Sequence, residues 1–566
     1  MLTFLERNAP AGSVIGGPSF ADALAALLRA DDLDAATKRH WATSLRQMAG
    51  FLGRPCETIP ARVTGISRAV QTLHPEQLNV HPKTFANHRA NVKRALNWYG
   101  RTEFGNAHRA PMSDAWRELW SLVPDVQAKD MLSPFCRFLS GLGIAPSEVA
   151  DVHVKAYATY RLETSFSPLN TSSRRLLVRY WNKAVDEVPG WPTMRLAEPG
   201  YAERSSGPRW DQFPEELREG IEIYLADLSR PHKASDGRRM KGCKPSTVDT
   251  RKRELVAAVR TAVASGIELD RLTSLAALLH PDTVEAIVDH LWEAAGDVPS
   301  TYAIALAGKL HGIARALPGF DAGQLGRLDD LRYTMEQHRQ GGMTKKNRDL
   351  IRQVLVGDIW DKVIQLPMRL MAIARSESKA QPIKAAVLAQ LATAIAILVV
   401  APIRVGNLAS IQIGENLVRP AGPGTPITLV FEGYDVKNGI DLEHPLPARV
   451  TAIIDEYIHL HRPALMRGRN HDYLFPGEGR DQKTSHTLSE QMSVLLWKHL
   501  GLKVTAHQFR HAAAAIILEK LPGNYEMVRR VLGHRNLRTT TNSYVGLDTI
   551  NASRMYADLV IDKMGK

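Results

Sequence analysis

Along most of this chain apolar residues return every three or four positions, the period of a helix that buries one face. SFADALAALLRADDL (19–33), TKRHWATSLRQMAGFLG (37–53) and TFANHRANVKRALNWYG (84–100) all do so, and they predict a helical unit over residues 1–107. KDMLSPFCRFLSGLG (129–143), PSEVADVHVKAYATYRLE (146–163) and TSSRRLLVRYWNKAVDEV (171–188) predict a second, over 108–206. The Gly- and Pro-rich stretch PGWPTMRLAEPGYAERSSGPRW (189–210) reads as a linker. A third unit, 207–339, carries three more periodic stretches, at 214–230, 247–266 and 300–317, with the strongly basic loop RPHKASDGRRMKGCKPS (230–246) between the first two. The Gly-to-basic junction QGGMTKKNRD (340–349) is the main boundary, and 340–566 forms the fourth unit.

There the pattern changes. AAVLAQLATAIAILVVAPI (385–403) is nearly long enough to cross a bilayer. It contains Gln390 and Thr393 and ends in a proline and then Arg404, so it predicts a buried core helix, and no membrane partner is expected. TPITLVFEGYDVKNGIDLEHPLP (425–447) reads as two strands, with Asn438-Gly439 signalling a tight hairpin turn. Helices resume at ARVTAIIDEYIHLHRP (448–463) and continue to the C-terminus. The fold class is therefore mostly α and multidomain, with an α+β last unit that holds a small antiparallel sheet. Trp98, Trp116, Trp120, Trp181 and Cys136 are expected in cores, and His459 and His461 in solvent rather than on a metal.

Composition narrows the function. Against 59 Asp+Glu stand 72 Lys+Arg, a net charge of +13, and this favours a polyanionic partner, nucleic acid first. The three cysteines, Cys56, Cys136 and Cys243, are far apart without CxxC spacing, which argues against a disulfide scaffold or structural zinc and suits a reducing cytoplasm. MLTFLERNAPAGSVIGG (1–17) lacks the apolar run of a signal peptide.

Candidate chemistry is concentrated near the end, in TAHQFRHAAAAIILEKLPGNYEMVRRVLGHRNLRTTTNSYVG (505–546). His507 and Arg510, three apart at a helix start, share a face. A second helix delivers His534 at its end, and Tyr544 follows ten residues on. Each signal alone is bland: a polar pair at a helix start, a glycine cap, a hairpin turn, an arginine beside a helix end. In this order they resemble the catalytic domain of the tyrosine recombinase (phage integrase) family, whose pattern is His-x-x-Arg, Leu-Gly-His, then a Thr-containing stretch ending in Tyr. The resemblance covers 340–566 and extends to an arginine after a buried helix, matched by Arg404, and a hairpin lysine, matched by Lys437. Weaker likeness to the family's helical core-binding domain covers 207–339. Pro402 stands where glycine is common and Asn407 where an acidic residue is common, and the step from His534 to Tyr544 is one residue longer than the commonest.

The resemblance implies a site-specific recombinase or integrase that cleaves and rejoins double-stranded DNA through a 3′-phosphotyrosyl intermediate, for a mobile element. Arg404 and Arg510 would clamp the phosphate, a role that suits the permanently charged guanidinium fork. His507 would be base or hydrogen-bond partner, His534 would bond the phosphate, Lys437 would protonate the leaving oxygen, and Tyr544 would attack, with Tyr556 the only later tyrosine. No metal or other cofactor is called for. Four protomers on two DNA sites, in a bacterial, nucleoid-associated setting, are the implied assembly. DNA contacts are expected at Arg238, Arg239, Lys241, Lys244, Arg251 and Lys252, and at Lys345 and Lys346. A type IB topoisomerase-like enzyme and a non-catalytic DNA-binding protein with the same fold are the alternatives.

Overall fold

Helices begin where a short polar side chain takes up the free N–H groups of a first turn. Ser19 caps α1 (Phe20–Arg29) and Asp34 caps α2 (Ala35–Leu52). The computed structural model describes residues 17–566 apart from 101–110, 200–206, 297–299, 340–341, 356–358, 435, 437–438, 539, 542–543, 545–552, 554–555, 562–563 and 565–566. The chain divides into two compact units, Met1–Pro199 with Gly342–Lys566, and Gly200–Gly341.

In the first unit, α1, α2, α3 (Val63–Thr72) and α4 (Pro82–Tyr99) enclose Phe20, Leu45, Met48, Val70 and Val92. A second cluster, between α5 (Asp114–Ser121), α6 (Val126–Gly141), α7 (Asp151–Thr164) and α8 (Thr171–Glu187), buries Trp116, Phe135, Cys136 and Trp181. Phe166, just after α7, packs into the first cluster, and its carbonyl accepts from Gln71 Nε2 at 2.8 Å. The N-terminal segment also meets the C-terminal one. Gln77 Nε2 donates to Gly501 O at 2.7 Å, and the His74 ring lies edge-on to Trp497 at 5.6 Å. Trp98 and Trp120 are half-buried.

The second unit holds α9 (Glu215–Ser229), the strands β1 (His232–Lys233) and β2 (Arg239–Met240), α10 (Pro245–Ala264), α11 (Leu275–Leu278), α12 (Pro281–Ala294), α13 (Thr301–Ala316) and α14 (Ala322–Gln337). Part of the expected basic loop is thus a short hairpin, pairing His232 with Met240 and Lys233 with Arg239. Gly237, at φ +83, makes the turn, and the Ala234 N–H donates to Arg238 O at 2.8 Å.

Residues from Gly342 onward form α15 (Lys345–Leu355), α16 (Ile359–Glu377), α17 (Pro382–Val400), α18 (Val405–Ala409), β3 (Leu417–Val418), β4 (Thr428–Phe431), β5 (Leu442–Pro445), α19 (Ala448–Glu456), α20 (Arg462–Met466), α21 (Ser485–Leu500), α22 (Gln508–Lys520) and α23 (Tyr525–Leu532). α17 is the one described helix long and apolar enough to cross a membrane, and it lies in the core with Ala386, Ala389 and Ile395 fully buried. Gln390 is tolerated there because its amide donates to Tyr457 Oη at 3.2 Å and Pro476 O at 3.3 Å.

β4 and β5 pair antiparallel from Thr428–Pro445 to Phe431–Leu442, and β3 adds a third strand beside β4. The connection from β4 to β5 spans 432–441, where the Gly433 N–H donates to the Asp441 carboxylate at 2.6 Å, and Asn438 of the expected tight turn lies outside the described residues. One expectation is corrected. His461 is only 4% exposed, not solvated. A π-helical turn, Tyr457–His461, adds a residue to the helical repeat and so changes the face on which His461 falls.

Candidate active site

The site is assembled from three element ends. α17 runs out at Val400, and Arg404 stands at the N-cap of α18, half-buried. Its Nη1 is buried without a hydrogen-bond partner among the described residues, and burial pulls its pKa below the ordinary arginine value. Arg510, in the first turn of α22, is 3% exposed. Its Nη1 donates to Pro402 O at 2.7 Å and its Nη2 to Leu532 O at 2.5 Å, so one guanidinium ties the ends of α17 and α23 together. The proline that departs from the family pattern loses nothing in this role, because any residue offers the carbonyl. Burial first, then Arg404, lowers the Arg510 pKa to about 10, which leaves it cationic at neutral pH.

α23 delivers His534. Gly533 caps the helix at φ +58, where a side chain is strained, and a Cβ there would come within 2.5 Å of Leu442 Cδ2 on β5. The Leu-Gly-His signal therefore encodes both a helix stop and a close approach. His534 Nδ1 lies 2.9 Å from Thr540 Oγ1. Burial, with Arg510, Arg404 and His507, lowers its pKa to about 4, so it is neutral near pH 7.

Thr540 is fully buried, and Leu537, Arg538, Thr540, Thr541 and Tyr544 are helical. Tyr544 lies within reach of the Arg510 charge of its own chain. Tyr544 is 3% exposed and packs with Ile351, Ala514, Ala515, Leu518, Val528 and Leu532. Burial raises its phenol to about 12, while Arg510 acts in the opposite sense. Tyr556 is 70% exposed.

His507, at the N-cap of α22, is exposed, and its pKa is lowered by desolvation, then by Arg510 and Arg404. Its ring stands perpendicular to that of His511 at 5.2 Å, and His511 in turn lies edge-on to Tyr544 at 5.5 Å. Arg404, His507, Arg510, His534 and Tyr544 thus come together. Lys437 lies outside the described residues.

Sequence reasoning missed His511 and Thr540. His507 and His511 are four apart, one helical turn, which is a legible signal. Nothing in the run Thr539-Thr540-Thr541 marks the middle threonine.

The expected DNA contacts lie on two surfaces. In the second unit Arg239 and Lys241 are exposed on β2 and just after it, and Lys244 is exposed before α10. Arg238 pairs with Asp236 at 2.5 Å and Arg251 with Glu254 at 3.1 Å. Lys252 pairs with Glu222 and covers the Trp210 ring at 4.4 Å. Lys345 and Lys346 are exposed in the first turn of α15.

Residues 368–549 match the model of the phage integrase family. The tyrosine recombinase XerD of Proteus mirabilis is 26% identical over 141 residues, 24% of this chain and 39% of that protein, so the chain spans about two-fifths of that relative's length. Similar solved structures include XerA recombinase, at 16% identity over 60% of this chain and 98% of that one, TM-score 0.25. The site-specific recombinase XerH bound to its difH substrate, in a pre-cleavage complex, matches at 13% identity over 58% and 92%, TM-score 0.29. The Tn1549 transposon integrase in complex with transposon right end DNA matches at 13% over 59% and 99%, TM-score 0.33. The C-terminal part of this chain is a domain of the phage integrase family, preceded by residues 1–367, which lie outside that match.

Proposed function

We propose that this chain cleaves and rejoins double-stranded DNA with Tyr544 as the nucleophile, as a site-specific recombinase or integrase. The observation that carries this reading is the buried phenol of Tyr544, returned by its own chain to the field of Arg510. Tyr556, the only later tyrosine in the sequence, is 70% exposed.

The phosphodiester would enter between two guanidinium groups. Arg404 keeps Nη1 unspent, and Arg510, with five donors of which two positions serve Pro402 and Leu532, keeps others. Both stabilise the charge that builds on the non-bridging oxygens. Tyr544 Oη attacks phosphorus as its proton passes to His507, and the bond to the 5′ oxygen breaks. Lys437 protonates that oxygen. The 3′-phosphotyrosyl bond conserves the energy of the broken one, so attack by a 5′ hydroxyl reseals DNA without ATP. A Thr540 hydroxyl donating to His534 Nδ1 leaves Nε2–H free to bond the phosphate.

On this reading residues 1–107, 108–206 and 207–339 are separate helical domains ahead of a catalytic domain at 340–566. The third grips the duplex through Arg238, Arg239, Lys241, Lys244, Arg251 and Lys252, and Lys345 and Lys346 also contact DNA. Four protomers on two sites would exchange strands of a mobile element in two steps.

The test is a suicide duplex nicked beside the cleavage point, with its sequence taken from genomic DNA recovered as a covalent adduct. Wild type is expected to become trapped on it, and Tyr544→Phe is not. Trapping by the Phe variant would move the nucleophile elsewhere. Absence of trapping on DNA that the protein binds would favour a binding protein, and relaxation without exchange between two sites a topoisomerase.

A further inference from the structure

The mechanism leaves the half-buried imidazole beside Tyr544 unused. His511 directly follows Arg510, and its ring touches both His507 and Tyr544. Its Nε2 lies 3.0 Å from Asn347 Nδ2, at the start of α15 and 164 residues away in sequence.

The polarity of this contact can be worked out from a fixed donor. The backbone N–H of Thr505 can only donate, and it lies 2.9 Å from Gln508 Oε1. The other end of that amide, Nε2, must then donate to Asn347 Oδ1 at 3.2 Å. The Asn347 amide is thereby oriented with its NH2 toward His511, and Nε2 of His511 accepts. A neutral imidazole that accepts at Nε2 carries its proton on Nδ1. Nδ1 of His511 is buried and has no hydrogen-bond partner among the described residues.

We propose that His511 is a positioning residue for the nucleophile, held by the Thr505–Gln508–Asn347 relay as the neutral Nδ1–H tautomer so that its ring sets Tyr544 against His507. The relay's anchor, Asn347, is itself held by Thr344, whose carbonyl accepts from the Asn347 N–H at 3.0 Å. Its surroundings reinforce neutrality: desolvation first, then His507, Arg510 and His534, lower its pKa to about 4.

This proposal rests on cleavage through Tyr544, and its test separates the two. Nitrogen-15 labelling of histidine in the full chain reads the tautomer without any DNA. Wild type is expected to show Nδ1–H at His511, and Asn347→Ala a mixture. On the suicide duplex at saturation, His511→Phe keeps a flat ring and is expected to slow covalent trapping about tenfold or more, the scale of a misplaced reacting group, with DNA affinity unchanged. His511→Phe combined with Asn347→Ala is expected to be no slower than His511→Phe alone, because both act through one relay. An Nε2–H tautomer, an unchanged trapping rate in His511→Phe, or additive effects would overturn the proposal. A wild type that forms no adduct while showing the Nδ1–H tautomer would overturn the cleavage reading and, with it, the positioning role.

Discussion

Adding one methyl group at Gly533 tests how the fold holds His534. In Gly533→Ala two costs combine. The residue sits at φ +58, a left-handed conformation that costs an alanine about 1 kcal/mol or somewhat more. Its Cβ would also meet Leu442 Cδ2 at 2.5 Å, with Cγ at 3.5 Å and Cδ1 at 3.6 Å. Leu442 is 5% exposed, but a cavity of about 230 Å³ lies beside it, lined by His444, Arg529, Arg530 and His534 among others. The leucine can therefore swing aside, at the ~0.5–1.5 kcal/mol of an off-rotamer side chain. Together these costs come to ~2–3 kcal/mol. The amides that report them are those of Gly533, bonded to Arg530 O at 3.1 Å, and His534, bonded to Arg529 O at 2.9 Å. Their hydrogen exchange should accelerate by roughly 30- to 150-fold, since ~1.4 kcal/mol is a factor of ten where local opening governs. Leu442→Ala in the same chain should return the steric part and leave the backbone part. Exchange within about threefold of wild type, or no coupling between the two substitutions, would refute the account of this cap.

Three further outcomes follow from the same geometry. Thr540→Val keeps shape but removes the 2.9 Å contact to His534, so it should cost ~1 kcal/mol of local stability by hydrogen exchange and slow covalent trapping, whereas Thr540→Ser should restore most of both. His511 and His534 titrate at about 4 in the fold against an ordinary value near ~6.5, so the unfolded chain binds more protons between those values. Stability should fall as pH drops from about 6.5 toward 4, by at most ~3 kcal/mol for each histidine, and His534→Gln should flatten the thermal-melting profile in that window. Gly501→Val combines φ +68 with a Cβ 2.5 Å from His74 Cβ, so it should loosen the contact between the N-terminal and C-terminal segments, read as faster exchange around Gln77; Gly501→Ala with His74→Gly, which removes that Cβ, should relieve the clash but not the backbone strain.

Much of the site was legible because its signals are local. A helix stop needs a residue that tolerates positive φ, so Leu-Gly-His could be read from three letters, and His507 and Arg510 share a face by spacing alone. The hairpin was legible as strands from its β-rich run, and Asn438 of its turn signal lies outside the described residues. His461 was misread because a π turn changes the face on which a residue falls without leaving a mark in the apolar period.

The sequence by itself determined the helical character of the chain, the basic charge, the buried fate of α17 and the order of the arginines, histidines and tyrosine. These follow from period, composition and capping, which act over a few residues. Only the tertiary structure decided which carbonyls Arg510 would bind, 108 and 22 residues away. It also decided that Thr540 would hold His534, and that Asn347 would reach His511. Such pairings depend on how whole helices pack, and packing selects side-chain partners by distance in space, which no periodicity along the chain records.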